Sequence, residues 1–332
     1  MIDGSGNMSK TGTGTLTVSG TNTFTGQLSV QDGTLSIATI NNASVNGVLG
    51  NSANSVSLGN TGGVTGTLAY TAGNATSNKK FTMATGGTGA FDVSTTATVL
   101  GLSGVIDGSG NMTKTGTGTL TVSGTNTYTG TTTVSAGTFF VDGNQAAATG
   151  AVNIQANSKL GGNNGTIGGD TTIEALATLS PGKSSVSTLT FSKNLSFIGT
   201  TSSVLMDVAT GTRGTNYDAI NLGATGILGY HGAMTLSINA AIADGTYDLY
   251  SFTASNYTGS FDSIVFAGTG PYSGSFSTAN SGATFTANQN GQLLTFTTST
   301  GDLTVVPEPA SIALLGLGAA FLFWRRRKAA GT

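Results

Sequence analysis

The chain has 332 residues, of which 52 are glycine, 4 proline and none cysteine, with 8 % charged residues and a formal net charge of −2. Glycine at this level without a G-X-Y period excludes collagen, and low net charge with regular apolar alternation argues against disorder. The lack of cysteine removes disulfide frameworks, thiolate metal sites and cysteine catalysis. Four of the twelve basic residues are Arg325, Arg326, Arg327 and Lys328, so residues 1–304 hold 13 acidic and 8 basic groups, an acidic body without the basic stripe that nucleic-acid binding needs.

The first predicted elements are short strands. Leu16 and Val18 point one way while Thr15, Thr17 and Ser19 point the other, and the pattern returns at Leu28/Val30 and Leu35/Ile37, with the turn strings SGTN and QDG between them. The segment Ile2–Gly26 recurs at Ile106–Gly130, an offset of 104 residues, with 23 of 25 positions identical; only Ser9/Thr113 and Phe24/Tyr128 differ. The thirteen residues TGTGTLTVSGTNT shared by the copies contain no His, Lys, Asp or Glu to activate a hydroxyl, so they read as architecture. Strands this short, punctuated by Gly and Asn at intervals of roughly 20 residues, suit a parallel β-solenoid whose rungs stack about 4.8 Å apart around an inward apolar column. Threonine suits the outer face because its branched Cβ favours strands while its hydroxyl stays solvated.

The second copy extends this pattern as KTGTGTLTVSGTNTYTGTTTVSAGTFFV, Lys114–Val141. It resembles the autotransporter-associated β-strand repeat, also called the passenger-associated transport repeat, at Lys114, Gly116, Gly118, Leu120, Gly124, Asn126, Tyr128, Gly130, Val134 and Gly137, with Phe139 where Leu is usual. The first copy is similar, with Phe24 for Tyr and looser residues Gln27 and Gln31. The resemblance implies a right-handed, pectin-lyase-like β-helix on an exported surface protein, and presentation rather than a reaction.

From Ile173 the strands lengthen and aromatics gather: Phe252, Tyr257, Phe261, Phe266, Tyr272, Phe276, Phe285 and Phe296 predict a thicker β unit capping the solenoid. Ala177–Ser184, ATLSPGKS, fits a relaxed phosphate-loop string, but the following SSVSTLTFSK alternates like a strand where a helix is needed. His231, the single histidine, reads as a turn residue. The acids of the body are scattered around one arginine, Arg213, and no pair is singled out for glycoside chemistry. DGSGN, at Asp3–Asn7 and Asp107–Asn111, lacks the further acids of a calcium loop. Regular Thr-x-Thr runs raise an ice-contact reading, with the array expected to break at NNASVNG and SNKKF.

At the C-terminal side, Pro307, Glu308 and Pro309 precede an apolar run from Ala310 to Trp324, including Leu314, Leu315, Leu317, Phe321 and Phe323, closed by the basic stop Arg325, Arg326, Arg327 and Lys328. The run is shorter than the roughly 20 residues of a comfortable span, and its basic flank would hold residues 1–306 outside. This order resembles the PEP-CTERM sorting signal, which implies processing by an exosortase in a Gram-negative bacterium. Met1 falls at the position equivalent to Val105, and MIDGSGNMSK has neither a basic n-region nor an apolar h-region, which points to a truncated gene or a misassigned start.

The expected architecture is all-β: a solenoid over 1–175, a C-terminal β unit over 176–303, and a sorting signal with one short hydrophobic helix over 304–328. The expected function is that of a non-enzymatic exported cell-surface or matrix protein. Its expected partners are an exosortase, the membrane through its tail, and exopolysaccharide or further copies of itself; no catalytic, cofactor or metal residue is assigned. An ice-binding or glycan-adhesive solenoid and a polysaccharide-degrading β-helix are the alternatives.

Overall fold

The computed structural model describes residues 1–183, 185–268 and 270–308. The chain winds as a parallel solenoid with three faces per rung. The second face is one sheet of 11 strands, from Thr15–Val18 to Tyr257–Gly259. The third is a sheet of 9 strands, from Ala75–Ser77 to Ser263–Phe266. The first face consists of two sheets of 5 strands each. Thr127 and Thr129 carry it across the gap by donating their amides to the carbonyls of Ile106 and Gly108, both at 2.9 Å.

Alternation fills the interior as the sequence predicts. Leu35, Leu68, Phe91, Lys114, Val134, Ile154 and Ile173 are successive register partners on the second face and all are buried. Rung length varies, since Leu16 pairs with Leu35 but Leu35 with Leu68, yet the inward column is kept because extra residues leave through the corners.

The two repeat copies share one internal register but lie on different faces. Met8 pairs with Leu28 on the first face and Thr15 with Thr34 on the second; in the second copy Met112 pairs with Thr132 on the second face and Thr119 with Thr138 on the third. The repeat is therefore a strand–corner–strand unit with its stacking partner, and its offset amounts to four rungs plus one face. What makes the corners interchangeable is glycine. A Cβ on Gly130 would lie 2.2 Å from the Gly110 carbonyl oxygen, one on Gly150 1.9 Å from that of Gly130, and one on Gly169 1.8 Å from that of Gly150, so backbone stacks directly on backbone.

The conservative difference between the copies is a compensated pair. Tyr128 and Thr132 share a buried hydrogen bond of 2.6 Å, and in the first copy Phe24 and Leu28 stand in their places, so both hydroxyls are absent together. Tyr128→Phe alone should cost about 1–2 kcal/mol, because it leaves the Thr132 hydroxyl buried without its partner, and adding Thr132→Val should recover most of that loss. Urea unfolding of the two single variants and the double variant checks this; strictly additive losses would contradict it.

The change of texture near residue 175 is not a change of fold, which corrects the expected boundary. Parallel registers run on through Ile173 with Phe197, Met206 with Leu236 and Leu236 with Phe266, while only the connections lengthen. The cap is smaller than expected: an antiparallel sheet in the order Gly245–Asp248, Asp302–Pro307, Gln292–Thr297, Thr284–Gln289, Ser277–Ala279. It seals the core with the aromatics, Tyr230 meeting Phe261 at 4.9 Å and Tyr250 at 5.7 Å in edge-on contacts, and Phe296 joining from the cap.

Candidate functional site

Lys114 and Asn126 of the repeat, with Lys10 and Asn22 in the first copy, are buried. Lys114 follows Met112 by two positions, so alternation places it on the inner side, and its side chain bends to the corner between the second and third faces. There Nζ donates to the carbonyls of Thr115 (2.8 Å), Gly116 (2.8 Å) and, one rung on, Ala136 (3.1 Å). Lys10 makes the same three bonds to Thr11, Gly12 and Asp32. Asn126 Oδ1 accepts the Ile106 amide at 2.7 Å and Asn22 Oδ1 the Ile2 amide at 2.8 Å. A third buried ammonium, Lys79, donates to the carbonyls of Ser52 (3.0 Å) and Gly50 (3.3 Å).

Burial pushes both Lys114 and Lys79 down to about 8; at Lys114 the Asp92 carboxylate pulls weakly the other way. Between pH 8 and 10.5 the unfolded chain holds more protons on these lysines than the fold does, so stability rises with pH in that window. Tyr128, pushed up to about 12 by burial, and Tyr230 and Tyr250, raised well above 10, reverse the slope above pH 10. The denaturation midpoint should therefore climb from pH 8 to a maximum near pH 10, and the climb should shrink in Lys79→Met. A midpoint that falls steadily from pH 7 would refute this assignment.

Outside, register aligns the threonines. Thr15, Thr34 and Thr67 are consecutive partners on the second face, followed by Ala90, Thr113 and Thr133. The expected breaks at NNASVNG and SNKKF do not fall on this face, because those strings lie in connections and at strand ends of the other two faces. The neighbouring column, Thr17, Ser36, Ala69, Asp92 and Thr115, is less regular and carries a charge.

The chemistry-bearing residues weighed in the sequence occupy structural positions. His231 sits at the turn before Ala233–Ser237, and its Nδ1 bonds Asp262 Oδ2 at 2.6 Å; that oxygen also accepts the Gly232 amide at 2.7 Å. The pairing was missed because the partner is 31 residues away, one rung on. Arg213 donates to the Asp248 and Ile220 carbonyls and to Asn221 Oδ1, and pairs with the Asp248 carboxylate at 3.1 Å, tying the solenoid to the cap. Asp302 faces Asp248 across the ladder, a second acid beside the one that pairs with Arg213, and all three guanidinium nitrogens already have partners. Asp218, wholly buried and pushed up to about 7 by burial, accepts the amides of Ser187 (2.8 Å) and Asp207 (2.9 Å). Asp142 is paired with Lys183. Thr178–Pro181 and Thr188–Phe191 are both strands, so the phosphate-loop string runs from strand to strand. In DGSGN, Asp107 accepts from Thr82 and Asn111 from the Thr131 amide. Among the described residues no group of three or more His, Cys, Asp or Glu is placed to hold a metal ion.

Of the sorting residues, Pro307 ends the cap strand Asp302–Pro307, and the Glu308 amide donates to the Gly291 carbonyl at 3.1 Å. Pro309, the apolar run with Ala310, Leu314, Leu315, Leu317, Phe321, Phe323 and Trp324, and the basic stop Arg325, Arg326, Arg327 and Lys328 lie outside the described residues. Among the described residues no helix is long and apolar enough to cross a membrane.

Rungs built on a duplicated corner unit, closed by an antiparallel cap, define a parallel β-solenoid. The passenger-associated-transport-repeat model matches residues 8–37 and 112–139, and the PEP-CTERM protein-sorting motif matches residues 305–328. No curated protein matches the chain. The chain thus carries two passenger-associated transport repeats and a PEP-CTERM motif, features of an exported cell-envelope or surface protein sorted by an exosortase-type enzyme.

Proposed function

We propose that the chain is a non-enzymatic structural rod of the cell surface or extracellular matrix, delivered by its sorting tail and displaying Thr/Asn-rich faces for self-association or contact with exopolysaccharide. The observation that carries this reading is the fate of the repeat's distinctive polar groups: Lys114, Asn126 and Tyr128 are buried and bonded to the chain itself, leaving hydroxyls and short amides outside. Faces of that kind suit weak, multivalent contact. Immunolabelling of intact host cells should find the body on the surface only when the tail is present, and a panel of polysaccharides incubated with the protein should yield no new reducing or unsaturated ends. Chain cleavage that is lost on Asp262→Asn or Asp248→Asn would replace this reading with the polysaccharide-degrading one.

A second reading, direct contact with ice or a crystalline glycan, is favoured by the aligned column Thr15, Thr34 and Thr67. Thermal hysteresis or glycan pull-down that is abolished by Thr34→Lys with Thr67→Lys supports it; activity unchanged by both substitutions sinks it.

A further inference from the structure

The cap strand Asp302–Pro307 has neighbours on both sides, Gly245–Asp248 and Gln292–Thr297. Leu303 and Val305 point into the core and are fully buried. Pairing continues to Pro307, opposite Gln292, and one residue further the Glu308 amide still bonds Gly291. Having no N–H of its own, Pro307 marks the end of the regular ladder. Its partner Gln292 is fixed on both of its polar atoms. Oε1 accepts from the Tyr272 hydroxyl at 2.7 Å, and Nε2 donates to the Ile242 carbonyl at 3.0 Å and to Asp244 Oδ1 at 2.8 Å. The first two residues of Pro307-Glu308-Pro309 are thus parts of a sheet anchored at that end.

An enzyme that processes a peptide holds it extended, with residues on each side of the severed bond in its own groove. To present any bond up to Val306–Pro307, the strand would have to leave both neighbours and expose Leu303 and Val305. We propose that the cap stays closed during sorting, so that the severed bond lies on the tail side of the Glu308 amide and the mature body keeps the whole strand Asp302–Pro307. The inference rests on the sorting reading above. In the step itself one peptide C–N bond breaks, its carbonyl carbon takes the oxygen of a water or the nitrogen of an acceptor amine, and the tail leaves with a free amine. Sorting then acts on a folded body held against the membrane with no spacer between cap and motif.

The test is a lock on the strand end. Leu293 and Val306 are register partners on the outer side of the cap, and the chain has no cysteine, so Leu293→Cys with Val306→Cys creates a single possible disulfide. The full-length parent and the locked variant are expressed behind an export signal in an exosortase-bearing host, and the C-terminus of each mature chain is read by intact mass. The expected result is processing of the oxidised variant at the parent's rate, with Glu308 retained in both products. A rate about tenfold lower or less for the oxidised variant, restored by reduction, would mean that the strand must open locally, and the proposal falls. A product ending upstream of Pro307 overturns it as well. Should the variant not fold, hydrogen exchange on the parent decides: Leu303 and Val305 amides must be as protected as those of solenoid rungs, and fast exchange there overturns the proposal. A parent that keeps its tail in this host overturns the sorting reading first, and the inference with it.

Discussion

Lys114→Met should lower the stability of the solenoid by about 3 kcal/mol, a large loss for a substitution that nearly preserves side-chain length. Two effects compete. Removing a buried ammonium abolishes its desolvation cost, which is why whole buried ion pairs are often replaced by apolar residues without loss. Here the partners are backbone carbonyls of Thr115, Gly116 and Ala136, which no substitution can remove, and each acceptor left unpaired in this half-buried corner costs about 1 kcal/mol, the low end of the range for an unsatisfied group. Three such penalties exceed the gain. Lys10→Met, at the equivalent corner of the first copy, should cost less, because Thr11 and Gly12 are exposed there and water can take over. Guanidinium unfolding of both variants checks the order; a Lys114→Met protein as stable as its parent would show that these carbonyls have another partner.

Much of this fold was legible because a solenoid repeats its instructions. The alternation that sends Leu120 inward and Thr119 outward was readable from the copies alone, and turn strings such as SGTN marked breaks between strands, but the stacking of Gly110, Gly130 and Gly150 backbone on backbone shows only in the fold. The same alternation sends Lys114 inward, but an ammonium on the core side makes sense only once its acceptors are known, and Ala136 lies a rung away. Variable rung length hid the rest. With a rung of 19 residues between Leu16 and Leu35 and of 33 between Leu35 and Leu68, sequence spacing does not reveal that Thr34 and Thr67 are neighbours, or that His231 meets Asp262. It also made the longer connections beyond residue 175 resemble a new unit, although the registers continue. In the sequence the sorting motif looks like the start of a separate tail, whereas Pro307 closes the last strand of the cap. Alternation in DLTVVP was the available signal, with Leu303 and Val305 on one side of the strand.

Gly150→Ala should be among the most damaging single-methyl changes at the described glycines. The added Cβ would fall 1.9 Å from the Gly130 carbonyl oxygen, 2.4 Å from its carbon and 2.8 Å from the Thr129 oxygen, all backbone atoms with no rotamer to give way. At Gly20 the only obstacle is conformational: φ is +77° and nothing lies within 4 Å, so Ala there should cost about 1 kcal/mol. At Gly150 the rungs themselves must separate, and overpacking against rigid neighbours costs about 3 kcal/mol or more. The form of the damage follows from the architecture. In a solenoid each rung is coupled only to its neighbours, so a wedge between the rungs of Gly130 and Gly150 weakens the pairing of Thr132 with Val152 and divides the column into two stacks. Gly150→Ala should therefore unfold in two steps where Gly20→Ala unfolds in one, with the amides on the cap side of the wedge keeping their hydrogen-exchange protection through the first step. A single transition with both halves exchanging together would mean that the corner can shift enough to admit a methyl group, and that these glycines answer to turn conformation and not to the stacking of backbone on backbone.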